Sequence, residues 1–349
     1  MLKKFIKDIT RDLKRDIAID FGTASVLVFV EGHDIVLKEP SMVAVDVSTD
    51  RVVKVGRDAM ELQGRTPEHI ETLRPMKDGS ISQYEVTLQM LKYFIRRASG
   101  KTWLRPRVMI TVPSDIKDME ISAMMEAARE AGAGRTYLIE EAKAAAIGAE
   151  LDVFSAEGSM IVNIGGGMTD VAVLSMGGIV MSESIRIGGD QFDEAIVGYI
   201  RRRYGILISE RTAEDIKIRI GDVYEHKKPL YMRVSGRSLA EGTPKEVVIS
   251  SKETLEAVFE PLTAIMDCIT AIIRDMPQEL FNEISKRGMI LTGGGSMLHG
   301  LDKLISLVTH VPAHLANRPI TSAVLGAGKL LPYLDKMPEG MVNLPAKMR

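Results

Sequence analysis

The residues best suited to chemistry stand in residues 160–170, MIVNIGGGMTD: an apolar run, Asn163, three consecutive glycines (Gly165, Gly166, Gly167), then Met168, Thr169 and Asp170. A second apolar run, VAVLSM, follows, so the segment reads as strand, tight glycine turn, strand. Glycine reaches backbone angles closed to other residues and lets the main chain approach a ligand closely. Consecutive N–H groups in such a turn form a concave anion site, a common way to hold phosphate. A relative of this stretch lies at residues 17–28, IAIDFGTASVLV, with Asp20, Gly22, Thr23 and Ala24 at its turn. Asp20 can orient magnesium through water, because magnesium keeps several waters and takes few carboxylates. A third strand-to-glycine turn, Gly293, Gly294, Gly295 and Ser296, follows the apolar residues 289–292. Two similar hairpins, one opening each half of the chain, suggest two related half-structures facing one nucleotide.

The elements that must position these turns alternate strand and helix, which argues for α/β layers. Strand-like runs at 35–37, 42–47 and 52–55 belong to a small segment, and residues 66–80 read as loop. Residues 83–99 form an amphipathic helix ending near Gly100. A strand at 108–112 stops at Pro113, and Ser114 and Asp115 are candidate caps for a helix through 131. A short strand at 138–139 runs into Glu140 and Glu141, followed by an alanine-rich helix over 142–149. Gly188 and Gly189 make a further turn, where Asp190 can cap a helix beginning near Gln191. Helical segments continue through 203 and over 212–220, the latter carrying Glu214 and Lys217. Residues 221–250 look like a small β-rich insertion, and Ser250, Ser251, Glu253 and Thr254 start a long helix to about 274. Further helices begin at Leu301 and span 319–331, and the tail beyond, with Pro332, Pro338 and Pro345, reads as irregular.

At 349 residues, 45% hydrophobic, with net charge −2, the chain can bury a sizeable core over two or three domains and has no global pull towards nucleic acid. A single cysteine, Cys268, excludes an intramolecular disulfide and a cysteine-rich metal site, and reads best as a small buried residue. No apolar run approaches the ~18 residues of a membrane span, and no apolar signal core follows the basic N-terminus. Residues 1–16 are an amphipathic helix instead: Leu2, Phe5, Ile6, Ile9 and Leu13 share a face, and lysine and arginine outnumber aspartate around them. Such a segment lies in a membrane interface, packs on its own domain or frays as a free terminus. Trp103 and Leu104, flanked by Lys101, Arg105 and Arg107, either cap the local core or anchor at the headgroup layer.

The three glycine turns and Glu141, with IDFGTA, GRTP, RPMKDG, LIEEAKAAAIGA, IRIGGDQFDEAI, ERTAEDIKI, LTGGGSML and LGAGK, resemble the actin, sugar-kinase and heat-shock-chaperone ATPase superfamily. The match is closer to its bacterial branch, the MreB-type rod shape-determining proteins of the MreB/Mbl kind, from about residue 2 to 331. The resemblance implies an actin-like α/β fold. Two domains would each carry a duplicated α/β core and a small β-rich subdomain, with ATP and magnesium in the cleft between them. Subdomain IA would take 17–32, 76–147 and 318–349; IB 33–75; IIA 148–186 and 251–317; IIB 187–250. It places Gly293 to Ser296 around the adenosine end and Glu214 and Lys217 near ribose and base. Gly189 and Asp190 are counted with the nucleotide-binding residues, and Glu141 matches the residue that orients the attacking water. It further implies antiparallel double filaments of the chain itself on the inner face of the cell membrane, beside membrane proteins of wall elongation and MreB paralogues.

Three departures from the family pattern qualify this. Asparagine replaces aspartate at Asn163, methionine replaces threonine at Met168, and Ala142-Lys143 stands where proline and methionine are usual. Asn163 removes a negative charge near magnesium, and Met168 offers only a weak sulfur acceptor where a hydroxyl would hold water. The expectation is ATP binding with slow or absent hydrolysis, unless Thr169 supplies the missing hydroxyl. Actin-fold kinases and chaperone-type ATPases are the alternatives. The first needs a substrate-binding insertion and a base; the second normally carries a peptide-binding domain for which the chain leaves little room.

Overall fold

The computed structural model describes residues 16–77, 80–100, 104–224 and 228–342. Among these residues two larger sheets form the frame, and they share one plan. In the first, strands Ile17–Phe21, Ser25–Val30 and Asp34–Pro40 make an antiparallel meander. Strands Arg107–Val112, Arg135–Glu140 and Gly340–Met341 extend it in parallel from its Ile17–Phe21 edge. In the second, Ser159–Ile164, Thr169–Ser175 and Gly178–Ile185 repeat the meander, and Met289–Thr292 and Ala313–Leu315 repeat the parallel extension. Every residue of Ile17–Phe21 and of Ser159–Ile164 is buried, as expected of strands covered on both faces. This burial explains why the two runs read as continuous apolar stretches rather than alternating ones.

The alanine-rich helix Glu141–Gly148 joins the two halves. Its Ala142, Ala145 and Ala146 pack with Ile161 and Ala172 of the second sheet. Its Ala144 packs with Ala18 and Met109 of the first. Small side chains permit contact with both sheets and with helix Ser322–Leu330. Each half also carries a three-stranded antiparallel sheet. One sets Val43–Asp46 between Arg51–Val55 and Ile70–Leu73; the other sets Tyr231–Ser238 between Ile206–Leu207 and Pro244–Ser250.

Several local expectations are corrected. Strand Asp34–Pro40, read with the small segment, pairs with the first large sheet. Residues 70–73, read as loop, are a strand opposite Val43–Asp46. Ser114 and Asp115 do not cap the following helix. It starts at Asp118 after Lys117, whose N–H donates to Glu120 Oε2 at 3.0 Å. The tail is more ordered than its prolines suggest: Leu331–Lys336 is a 3-10 helix, and Gly340–Met341 pairs with Tyr137 and Leu138. Helix Gln278–Arg287 escaped the sequence reading, whereas the long helix Ser251–Asp275 begins at the capping box expected of Ser250 and Glu253. Cys268 is buried and free. No described helix is long and apolar enough to cross a membrane. Of the residues expected to meet a membrane, Leu2, Phe5, Ile6, Ile9 and Trp103 lie outside the described residues, and Leu104 is half-buried.

Candidate functional site

The two meanders deliver their first turns to the same place. Gly22 N–H donates to Ser25 O at 3.1 Å, and Gly165 N–H donates to Met168 O at 2.8 Å, so the turns are built alike. They oppose each other at contact distance. A Cβ added to Gly166 would lie 2.5 Å from the Ala24 methyl, and one on Gly167 would lie 2.9 Å from the Thr23 side chain. Only bare backbone fits at these two glycines, so the main chain of the second turn meets the first turn directly. Helix Gly189–Tyr204 fixes the second turn from behind: Gly189 and Asp190 N–H donate to Gly165 O at 3.0 Å and Gly166 O at 2.8 Å. Those donors are therefore spent on the turn and not on a ligand. At the third turn Gly293 has a φ of +83°, and a Cβ there would lie 2.1 Å from Ile164 O, so glycine is required.

Between the turns lies a cavity of about 570 Å³. Of the residues expected at a nucleotide site, Asp20, Gly22, Thr23, Ala24, Glu141, Asn163, Gly165, Gly166, Gly167, Met168, Gly189, Asp190, Glu214, Lys217, Gly293, Gly294 and Gly295 all line it. Two do not. Thr169 is fully buried and its hydroxyl donates to Ile187 O at 2.7 Å, so it is not available to replace a lost water-holding group. Ser296 donates to Gly293 O at 2.7 Å and braces its own turn. Asp190 does not act as the helix cap: helix Gly189–Tyr204 starts after Gly188, whose N–H donates to Gln191 Oε1 at 2.7 Å. Asp190 instead meets Arg74 at 2.7 Å, across the cleft. Lys217 reaches Asp193 at 2.7 Å and Gly189 O at 2.8 Å, fastening helix Glu210–Ile220 to the start of helix Gly189–Tyr204. Lys143 faces neither solvent nor the cavity; it is buried in a close ion pair with Glu140 at 2.9 Å.

Sequence reasoning missed Lys38, Ile218, Met297, His299 and Ile320, which also line the cavity. Ile218 had a signal, since Glu214, Lys217 and Ile218 fall at i, i+3 and i+4 of one helix and share a face. Lys38 had none, because only the sheet places residue 38 beside the first turn.

The electrostatics of the inner wall follow from burial. Asn163 Nδ2 donates to Glu141 Oε1 at 2.8 Å, while Asn163 Oδ1 accepts from the Thr292 hydroxyl at 3.0 Å. Thr111 donates to Asp20 Oδ1 at 2.8 Å. Burial, reinforced by the Glu141 charge, pushes the Asp20 carboxyl well above its ordinary range, with Thr111 opposing. Burial raises Glu141 also, and the Asn163 amide opposes it. Asp170, directly across the hairpin from Asn163, is raised to about 7 by burial and by Glu141. The wall is thus an under-compensated acidic surface. Among the described residues no group of three or more side chains is placed to ligate a metal directly. A divalent cation that keeps its waters and touches few carboxylates fits such a wall; a fully protein-coordinated one does not.

Duplicated meander sheets, glycine turns facing each other across one cleft and a glutamate at the start of the joining helix define an actin-like ATPase fold. A model of the MreB/Mbl protein family matches residues 14–339, and the chain belongs to that family. It is 47% identical over 341 residues to the cell shape-determining protein MreB of Escherichia coli (strain K12), covering 96% of this chain and 97% of that one. It is 44% identical over 326 residues to the cell shape-determining protein Mbl of Bacillus subtilis (strain 168), covering 93% and 98%. Among solved structures, MreB5 of Spiroplasma citri bound to ADP superposes with a TM-score of 0.88 at 33% identity, over 93% of this chain and 98% of that one. A MamK double helical filament shares the fold alone, with a TM-score of 0.77 at 18% identity over 93% of this chain and all of its own.

Proposed function

We propose that the chain binds ATP with magnesium in the central cavity and assembles with itself into filaments on the inner face of the cell membrane. There it would help set rod shape by organising wall synthesis with membrane proteins of elongation, alone or beside an MreB paralogue. The observation that carries the nucleotide reading is the opposition of two like-built glycine turns across one cavity, with Asp20 and Glu141 on its inner wall. The nucleotide-bound state of the Spiroplasma citri relative supports it. The shape-determining role of the Escherichia coli and Bacillus subtilis relatives supports the cellular half, and neither favours a small-molecule kinase or a chaperone. In this reading the two large sheets belong to subdomains IA and IIA and the two small sheets to IB and IIB.

Each residue's part follows from its place. The amides of Thr23 and Ala24 and of Gly166 and Gly167 hold phosphate oxygens from opposite sides, while the Gly22 and Gly165 N–H groups close their own turns. Gly293, Gly294 and Gly295 leave room for the adenosine end, with Glu214 beside the sugar. Asp20 would hold magnesium through water, and the ion would neutralise charge developing on the phosphates. Glu141 orients the attacking water, the task on which phosphoryl transfer to water depends. Here one of its oxygens is occupied by the Asn163 amide, and Met168 supplies no hydroxyl. Loss of polar groups that position a reacting centre costs about 10²–10³ in rate, so turnover is slow while binding persists.

One experiment tests the whole reading: sedimentation of the protein with ATP, with and without anionic liposomes, with phosphate release followed in the same samples. The expected result is ATP-dependent pelleting with filaments visible by electron microscopy, and added liposome binding that is lost when residues 2–9 are deleted and Trp103 and Leu104 are made polar. Phosphate release should be slow and rise at least severalfold in Asn163→Asp. Absence of polymer with every nucleotide overturns the filament reading. Release as fast as in other family members, or unaltered by Asn163→Asp, overturns the account of turnover.

A further inference from the structure

We infer that Lys38 is the residue that makes the site distinguish a nucleoside triphosphate from a diphosphate, by meeting the terminal phosphate. The inference rests on nucleotide binding in the cavity. Its starting point is a charge imbalance. The carboxylates lining the cavity are Asp20, Glu120, Glu141, Glu214 and Asp190, the last paired with Arg74, whereas its lysines are Lys38 and Lys217. Lys217 is neutralised by Asp193 and by the Gly189 carbonyl. Lys38 has no ion-pair partner among the described residues. Beside a magnesium ion, a polyanion entering an acidic cleft is served by a protein cation, and Lys38 is the lysine left to provide one.

Its position selects which phosphate it meets. Strand Asp34–Pro40 turns Glu39 inward, where it binds Arg97 at 2.8 Å, and leaves Lys38 exposed on the other face. Lys38 pairs in register with Leu27, and Leu27 with Asp20, so Lys38 and Asp20 share one face of the sheet, about 10 Å apart at two strand spacings. A second cavity of about 760 Å³ lies between strand Ile70–Leu73 of the first small sheet and helices Gly189–Tyr204 and Glu210–Ile220, and Lys38 borders both cavities together with Thr23, Ala24 and Ser25. It therefore stands where the first glycine turn meets the second cavity, whereas the third turn borders the first cavity alone. A nucleotide with its base end at Gly293 and its phosphates between the two opposed turns carries its last phosphate towards this junction. The rival cations are placed differently. Arg57 and Arg211 border the second cavity alone, and Arg74 is engaged by Asp190.

The test is equilibrium binding of fluorescent ATP and ADP analogues, with magnesium, to wild-type protein and to Lys38→Gln and Lys38→Arg. A charge-assisted contact confined to the last phosphate gives a loss of about tenfold for the triphosphate in Lys38→Gln, and under about twofold for the diphosphate. Lys38→Arg should retain most of the preference, and the difference in Lys38→Gln should shrink as salt is raised. Equal losses for the two nucleotides, or no loss for either, overturn the inference while leaving nucleotide binding intact. Failure of the wild-type protein to bind either analogue overturns the nucleotide reading itself.

Discussion

Asn163 sets the character of the inner wall. A carboxylate there would face Glu141 and, across the hairpin, Asp170, in a region that burial already makes costly for charge. The amide removes that repulsion and donates to Glu141, so the residue proposed to slow hydrolysis also steadies the wall. Asp170 retains a cost. Its carboxyl is fully buried and accepts from the Ser184 hydroxyl, and burial with the Glu141 charge raises it from 3.8 to about 7. Between those values the folded chain keeps a proton that the unfolded chain has released. This group's contribution to stability is therefore lost as pH rises through that window. Asp170→Asn keeps the shape and the acceptor for Ser184. It should raise the melting temperature of nucleotide-free protein at pH 8 clearly more than at pH 5. Equal shifts at both pH values in thermal melts would contradict a charged Asp170.

At the scale of elements, the closest contact is the crossing of helices Glu141–Gly148 and Ser322–Leu330. A Cβ on Gly326 would lie 1.8 Å from Ala144 O, and one on Gly148 would lie 1.8 Å from Ser322 O. Backbone meets backbone there, and no rotamer can relieve a methyl group. Gly326→Ala should force the helices apart and lower stability by about 1–3 kcal/mol, read as a lower denaturant midpoint. Because Glu141 begins one of these helices, the same variant should also weaken nucleotide binding. Legibility at this scale depended on how local the cause was. The Ser250–Glu253 box was readable because both partners lie in one turn. Strands Gly340–Met341 and Ala313–Leu315 were not, since two or three residues become a strand only when an existing edge accepts them. The 70–73 strand was hidden in the same way behind flanking prolines.

Across the whole molecule, the two halves are joined by helix Glu141–Gly148, which packs on both large sheets, and, over the cleft, by Arg74 and Asp190 at 2.7 Å. These residues are 37% and 23% exposed, so the bond is partly screened and worth about 0.5–1 kcal/mol. That is enough to bias opening without locking the site. Arg74→Ala should speed release of a fluorescent nucleotide about two- to fivefold, measured by stopped-flow chase. The exchanged pair, Arg74→Asp with Asp190→Arg, should recover much of the loss. An unchanged release rate in Arg74→Ala would mean that the packing of helix Glu141–Gly148 on both sheets governs opening without the ion pair.

The sequence by itself determined the duplicated hairpins, their glycine turns, the longer strands and helices around them and most of the cavity wall. These depend on local pattern: apolar runs make strands, and glycine marks turns that approach a partner. Tertiary structure decided which polar groups remain for a ligand. Thr169, Ser296 and Lys217 have types suited to nucleotide chemistry, yet each is engaged elsewhere: Thr169 by Ile187 O, Ser296 by Gly293 O, and Lys217 by Asp193 and Gly189 O. Lys38, on a strand with no motif, is brought to the mouth of the phosphate turn by sheet register. A side chain's type is set by its codon, but whether its donors are already satisfied depends on neighbours that folding alone assembles.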